Sequence, residues 1–173
     1  MNKFSLMIAL ALLAALSACA PRVAVNANSE DVAKAAAGIA EFALPANYAP
    51  EFTAQLGSYT AVAYNPGDGR SHLYLIQSDK EADREKLTQT LTDLVPGSSD
   101  PNTRLTVVEN RAATIRGEAA TVVISDGVNH DGNTYRQVTV AFQGKGGPAL
   151  LVLSEPTESW DQSTLDALLA SIQ

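Results

Sequence analysis

One cysteine, Cys19, occurs among the 173 residues, and it directly follows a run of small and apolar residues. A single cysteine cannot form an intrachain disulfide, the device by which many small exported domains compensate for a limited core. It also cannot supply the several thiolates of a cysteine-based zinc site. The fold must therefore be held together by side-chain packing.

The first 18 residues have the layout of an export signal. Lys3 supplies a positive charge near the start, and residues 6–16 contain no polar side chain. This run is shorter than the roughly 20 residues that a membrane-spanning helix needs. Small residues follow it, as they do at a signal-peptide cleavage site. We expect residues 1–18 to be removed as a signal peptide.

The segment Leu16-Ser17-Ala18-Cys19 resembles a bacterial lipobox, in which the cysteine receives a diacylglycerol and becomes the first mature residue. The resemblance implies a covalent lipid on Cys19 and a body anchored to a membrane of the bacterial cell envelope. Ala20 stands where an Asp would mark retention in the inner membrane, so we expect the outer membrane if the cell has two. The alternative is an ordinary secretory signal that has a cysteine at its cleavage site.

The charge of the mature chain bears on its partners. Removing residues 1–18 takes away Lys3 and no acidic residue, which leaves 11 basic and 19 acidic residues and a net charge of −8. An acidic body repels phosphate backbones, so nucleic acid is not expected as a partner. No Lys/Arg cluster that would attract an anionic lipid surface is present either.

The mature chain divides by composition into a tether and a body. Residues 19–41 are rich in Ala, Asn and Ser, and we expect a flexible tether with a short helix from Ser29 to Ala37. The body then begins at Phe42. Residues 42–173 are enough for a single domain that buries about two-thirds of its unfolded surface.

The body alternates between strand-like and helix-like segments. Alternation, β-branched residues and turn residues predict strands over 58–65, 71–77, 105–115 (bent near Asn110), 119–126, 135–143 and 149–153. Capping boxes beginning at Ser78 and Ser159 predict two helices, whose apolar sides carry Leu87, Leu91, Leu94 and Val95, and Leu165, Leu168, Leu169 and Ile172. Short connections favour antiparallel pairing.

These elements predict an α+β domain in which an antiparallel meander packs with helices. Their order, together with Gly117-Glu118-Ala119-Ala120, the hairpin containing Tyr135-Arg136-Gln137 and the last strand-to-helix step, resembles the PsbP-like fold. That fold is shared by a photosystem II extrinsic subunit and by small bacterial lipoproteins of the LpqN type. The resemblance implies a mostly non-enzymatic binding or assembly module, and it transfers no site residues.

Metal sites have weak signals. His72 and His130 are the only histidines, which is too few for a catalytic zinc site without cysteines. The oxygen-bearing residues Asp126, Asn129, Asp131 and Asn133 form a calcium candidate, but their spacing does not follow the EF-hand register and they are also ordinary turn residues. Likewise, Gly144-Lys145-Gly146-Gly147 lacks the spacing and the following helix of a phosphate loop, which favours a hairpin turn. We expect no cofactor besides the lipid.

Several tyrosines fall on predicted strands and form the candidate binding surface: Tyr59, Tyr64, Tyr74 and Tyr135. Amphipathic rings are favoured at protein interfaces. No nucleophile–base motif is recognisable, so the chain is not expected to be an enzyme. The leading hypothesis is a lipid-anchored module that binds an envelope protein through its sheet. The alternatives are a carrier of a small apolar ligand held between the sheet and the helix after Ser78, and then an envelope hydrolase.

Overall fold

In a computed structural model, the chain is described over residues 24–94, 105–129 and 131–173. This part is an α+β fold with three helices and one eight-stranded antiparallel sheet. The strands are β1 (Ala24–Asn26), β2 (Ala49–Leu56), β3 (Tyr59–Asn65), β4 (His72–Ser78), β5 (Thr106–Ile115), β6 (Glu118–Val128), β7 (Thr134–Gln143) and β8 (Pro148–Pro156). The helices are α1 (Ser29–Ile39), α2 (Arg84–Leu94) and α3 (Gln162–Ser171), and Thr157–Ser159 form a 3₁₀ turn.

The sheet consists of two four-stranded meanders joined in its middle. The strand order is β1-β2-β3-β4-β8-β7-β6-β5, and every neighbouring pair is antiparallel. The chain passes from β4 through α2 to the far edge at β5 and then returns strand by strand to β8. The predicted antiparallel arrangement is confirmed.

The central strand β8 is covered on both sides, as its continuous apolar run predicts. Leu151 and Leu153 belong to the cluster under α1 and α3, whereas Leu150 and Val152 belong to the cluster under α2. The two faces of the sheet are named here the α1/α3 face and the α2 face. Burying several fully enclosed aliphatic side chains, at about 1.5–3 kcal/mol each, gives the fold most of its driving force.

The β5–β6 hairpin turns as the sequence suggests. Arg116 and Gly117 both have positive φ angles, 53° and 82°, as the two central residues of a type I′ turn do. The Arg116 guanidinium donates a hydrogen bond to the carbonyl oxygen of Gln143, 2.9 Å away, which holds this non-glycine residue in the left-handed region. The bend predicted near Asn110 is a β-bulge between Val107 and Glu109.

The prediction of a flexible tether through residue 41 is wrong for its second half. Val32, Ala36 and Ile39 of α1 are buried in the main core, so the folded body begins before Phe42. The end of α1 is also fixed, because the carbonyl oxygen of Ile39 accepts a 2.8 Å hydrogen bond from the Lys145 backbone N–H. The small residues that suggested a tether instead allow α1 to approach the sheet closely.

The sequence patterns did not predict strands β1 and β2 or the exact first residues of α2 and α3, and the reasons are local. Pro50 obscured β2, and the three residues of β1 carry no periodic signal. Helix α2 starts after Asp83, whose carboxylate accepts from the Lys86 N–H at 2.8 Å, and not at the predicted Ser78 box. Likewise, α3 is capped by Asp161 and not by Ser159.

The apolar sides predicted for these two helices are confirmed where the structure describes them. The side chains of Leu87 and Leu91 are buried between α2 and the sheet. Leu165, Leu168, Leu169 and Ile172 are buried in and just after α3. The side chain of Leu94 and all of Val95 lie outside the described residues.

The position of α1 in the core can be tested by truncating one side chain. Ile39→Ala should lower the free energy of unfolding by about 2–5 kcal/mol, because a fully buried aliphatic group is removed and a cavity remains. The exposed neighbour Lys34→Ala is the control and should change it by less than about 0.5 kcal/mol. If urea denaturation shows equally small changes in the free energy of unfolding for both variants, α1 is part of a tether and not of the core.

Candidate functional site

The cross-strand register decides which tyrosines share a surface. Tyr59 and Tyr74 pack at the α2 face beside Ala61 and Ile76. Tyr135 lies on the same face, since it is four residues from Thr139 along β7 and Thr139 pairs with Val152 of that face. Three of the four predicted surface tyrosines are therefore on one face of the sheet.

Tyr64 does not belong to this surface, and its inclusion in the prediction is wrong. It points to the α1/α3 face, is only 5% exposed and meets the Phe42 ring edge-on, with ring centroids 5.9 Å apart. Tyr64 follows Tyr59 by five positions, and because side chains alternate along a strand, an odd offset places the two rings on opposite faces. This parity is visible in the sequence.

Only half of the α2 face is covered by α2, whose Leu87 and Leu91 contact the middle of the sheet. Across the other half, which we call the open face, no helix of the described chain is packed. One cross-strand row there is polar and consists of Ser125, Gln137, Ser154 and His72. The next row consists of Val123, Thr139, Val152 and Tyr74, and it borders the α2 cluster, in which Val152 is buried.

The most distinctive part of the open face lies at His72. Its ring stacks on that of Tyr74, with centroids 5.6 Å apart and an interplanar angle of 12°. The His72 Nδ1 atom is 3.7 Å from the Glu51 Oε2 atom, and both atoms are buried without a hydrogen-bond partner. Burial, together with the Glu51 charge, raises the pKa of the Tyr74 hydroxyl to about 12, so Tyr74 is neutral and can donate a hydrogen bond.

Glu51 reaches this position because of an irregularity in the sheet. The register of β2 against β3 shifts between Pro50 and Phe52, so Glu51 is the extra residue of a bulge. Bulges redirect side chains and occur often beside functional sites. Sequence reasoning placed His72 on a half-buried strand but could not pair it with Glu51, because the bulge follows from the missed strand β2.

A second polar cluster lies at one end of the α1/α3 face. The Tyr48 hydroxyl donates a 2.8 Å hydrogen bond to the buried Glu155 carboxylate, and Ser71 donates to Asp68 at 2.6 Å. Burial raises the pKa of Glu155, and the negative charges of Asp68 and Asp161 raise it further. Burial also raises the pKa of Tyr48. This cluster was missed, although an acid closing the apolar run of β8 was a signal for it.

The residues predicted as a calcium candidate include several that make structural contacts within the protein. Both carboxylate oxygens of Asp126 accept from the Arg136 guanidinium, at 2.6 and 2.9 Å, and this contact lowers the pKa of Asp126. The Asn129 side-chain oxygen accepts from the backbone N–H groups of Asp131 and Asn133. The residues thus close a hairpin loop, and among the described residues no group of three or more His, Cys, Asp or Glu could hold a metal ion. His130 lies outside the described residues.

The glycine-rich segment 144–147 is the predicted hairpin turn between β7 and β8. A Cβ atom at Gly147 would lie 2.2 Å from the carbonyl oxygen of Ser78, and the Gly146 N–H donates to the Gln77 side chain at 2.9 Å. Glycine is therefore needed for close backbone packing, not for holding a phosphate.

Two shallow depressions mark the described surface. One of about 460 Å³ lies beside the start of α2 and is lined by Asp83, Arg84, Glu85, Ala119, Ala120, Thr121 and Ala141. The other, of about 370 Å³, lies beside α1 and includes Lys34, Gln55 and Gln77. The space between α2 and the sheet, predicted as a ligand site in the carrier hypothesis, is occupied by Leu87 and Leu91.

Cys19, the predicted lipid attachment site, lies outside the described residues. None of the described helices combines the length and the apolarity that crossing a bilayer requires. Comparison with protein-family models finds no match, and comparison with curated proteins finds none either. The functional argument therefore rests on the two polar clusters and the open face.

The Glu155 cluster makes a pH-dependent prediction. The folded state raises the pKa of Glu155 above its ordinary value of 4.5. The contribution of this carboxyl group to the free energy of unfolding is therefore fully present below pH 4.5, and it is lost as the pH rises through the pKa of the folded state. Glu155→Gln keeps an acceptor for Tyr48 but no charge, so it should raise the melting temperature at pH 7 and give little gain near pH 4.

The matched control is Glu158→Gln at an exposed position nearby. Its own backbone N–H and Arg70 lower the pKa of Glu158, so neutralising it should not stabilise the protein at pH 7. Thermal unfolding followed by circular dichroism at both pH values provides the measurement. A Glu155→Gln variant that is less stable at pH 7 would contradict the assigned cost of burying this charge.

Proposed function

We propose that the chain is a lipid-anchored module of the bacterial cell envelope that binds a protein partner through the open face. The observation that carries the proposal is the juxtaposition of partly exposed aromatic and polar groups, such as Tyr74 and Gln137, on one half of a sheet face that α2 leaves uncovered. Protein interfaces are enriched in such aromatic side chains and form hydrogen bonds around them.

Tyr74 and His72 have the chemistry of a contact point. Their stacked rings form a rigid flat surface, and rigid aromatic groups lose little side-chain entropy on binding. Ser154 and Gln137 stand in the row of His72 and offer hydroxyl and amide groups. A partner that lies across these strands would meet an apolar centre bordered by hydrogen-bonding groups.

The anchor belongs to the same proposal. A lipid on Cys19 would attach the body to the membrane, in the outer membrane if the cell has two, and two acyl chains suffice for stable attachment. The anchor would enter the body at β1, the edge strand at one end of the sheet. The rows of the open face run from β4 to β6, away from the β1 edge, and would stay available for a partner.

The PsbP-like assignment is also part of the proposal. It is supported by the observed order of a hairpin, a helix, an antiparallel meander and a final helix. Members of that fold act mostly as binding or assembly modules, in agreement with a surface that offers recognition groups without a recognisable nucleophile–base pair. The proposal includes no nucleic-acid partner and no cofactor besides the lipid.

Site-specific photocrosslinking in living cells tests the partner surface. A photoreactive phenylalanine at Thr139, in the second row of the open face, should give a discrete crosslinked product. Adding Gln137→Arg should lower its yield at least tenfold, because a bulky charge would sit in the contact. The same photoreactive group at Lys34, on the exposed side of α1, is the control and should give no such product.

The anchor is tested in the same cells with Cys19→Ser. This variant should lose metabolic fatty-acid labelling and leave the membrane fraction, and the crosslink at Thr139 should weaken because the local concentration at the membrane falls. Equal products from Thr139 and Lys34 would refute the partner surface, whereas unchanged membrane attachment of Cys19→Ser would refute the anchor alone.

A further inference from the structure

The exposed large apolar side chains of the described chain are concentrated at the edges of the sheet. Val25 lies on the edge strand β1, and the other four lie around the start of β5 and the end of β6: Leu105, Val107, Val108 and Val128. Val107 and Val108 are 54% and 51% exposed. Contiguous exposed apolar groups of this kind mark interaction sites.

These residues adjoin a long free strand edge. Strand β5 has ten residues, and among the described strands it is paired on one side only, with β6. Its outer backbone N–H and C=O groups can therefore pair with another extended strand. Most residues of β5 are exposed, which leaves this edge accessible.

The sequence of β5 is self-complementary when it is read against a second copy of itself. In an antiparallel pair centred on Asn110, Glu109 lies opposite Arg111 of the copy. By symmetry, Arg111 also lies opposite Glu109 of the copy. Glu109 and Arg111 are on the same face, because their β6 partners, Ile124 and Val122, are both buried beneath α1 and α3. Opposite charges that face each other across two strands stabilise the pair.

The apolar residues fit the same register. The bulge between Val107 and Glu109 makes Val108 an extra residue and brings Val107 of one copy opposite Ala112 of the other. Both lie on the α2 face, since their β6 partners are Ser125 and Thr121, so a large side chain lies against a small one. The contact would remove the exposed Val107 of each copy from water.

Other registers are disfavoured by charge. A pair centred on Glu109 places two carboxylates opposite each other, and one centred on Arg111 places two guanidinium groups together. Arg111 is held in position by an ion pair with Asp166 of α3. Among the registers centred on residues 109 to 111, the charges therefore favour the one centred on Asn110.

We propose that two copies of this chain associate through antiparallel pairing of β5 with β5 about a two-fold axis at Asn110. The sheets of both copies then continue into one another, with their α1/α3 faces on the same side. This inference is independent of the open-face proposal, since it uses a strand edge and a different partner. The β1 edge is about 30 Å away across seven strand spacings, which leaves room for the proposed anchors at the two ends.

A disulfide at the axis tests this arrangement in the full-length, membrane-extracted protein. In Asn110→Cys, the two new thiols would lie at the separation of directly opposite residues, about 4.5–5.5 Å between Cα atoms, which suits a disulfide. Oxidation by copper phenanthroline should produce a reducible dimer. Thr114→Cys is the control, because its two copies would be about 27 Å apart along the strands. The parent chain controls for Cys19.

Native mass spectrometry of the parent and of Glu109→Arg gives a second measurement. The substitution replaces both cross-copy ion pairs by like-charge contacts, so the dimer should dissociate at least tenfold more readily, while Glu81→Arg, the same charge change at an exposed distant site, should have no effect. Unchanged melting of Glu109→Arg would show that its fold is intact.

The disulfide product at position 110, absent at position 114, together with the weakened Glu109→Arg dimer, would support self-pairing. Equal products at both positions, no dimer of the parent at micromolar concentration, or disulfide capture of a different protein in place of the second copy would overturn it. None of these results affects the photocrosslink from Thr139, so failure of this inference and failure of the proposed function are distinguishable.

Discussion

The fold depends on the burial of β8 from both sides. Leu151 and Leu153 face α1 and α3, and Leu150 and Val152 face α2, so one strand connects the two hydrophobic clusters. It also joins the two meanders by pairing with β4 and β7. Because the sequence contains a single cysteine, Cys19, no intrachain disulfide can form, and this packing holds the described elements together.

The unequal distribution of helices leaves uncovered the surface that we propose as a binding site. Two helices cover one face of the sheet, while α2 covers only the middle of the other. The open face, which includes His72 and Tyr74, is therefore left beside a rigid, fully packed layer. Contact groups on strands of a packed sheet are positioned more rigidly than groups on loops, which suits a surface for recognition.

Much of this fold could be predicted from local sequence signals, because alternation along β7 and the continuous apolar run of β8 report burial directly. The role of α1 could not be predicted in this way, since Ala-rich sequence is compatible both with a tether and with close packing on a sheet. Ile39 at the end of α1 is hydrogen-bonded to Lys145, and Glu41 just beyond it is hydrogen-bonded to Gln173. Both partners are far away in sequence.

The candidate site was less predictable than the fold. Tyr59, Tyr74 and Tyr135 lie on strands and share one face of the sheet, whereas Tyr64, which the sequence analysis grouped with them, is buried on the other. The contact of His72 with Glu51 depends on a bulge in β2, and the bond of Tyr48 to Glu155 joins residues more than 100 positions apart. Neither pairing can be read from a single sequence, although the position of Glu155 at the end of the apolar run of β8 marks one of the residues.

Hydroxyl-radical footprinting in native membranes tests the central claim that the open face is an occupied contact surface. Tyr74 and Tyr135 should be labelled less in native membranes than in the detergent-purified protein, because a partner shields them only in the envelope. Trp160, on the opposite face, should be labelled equally in both samples. Equal labelling of Tyr74 and Tyr135 in the two samples would contradict the account.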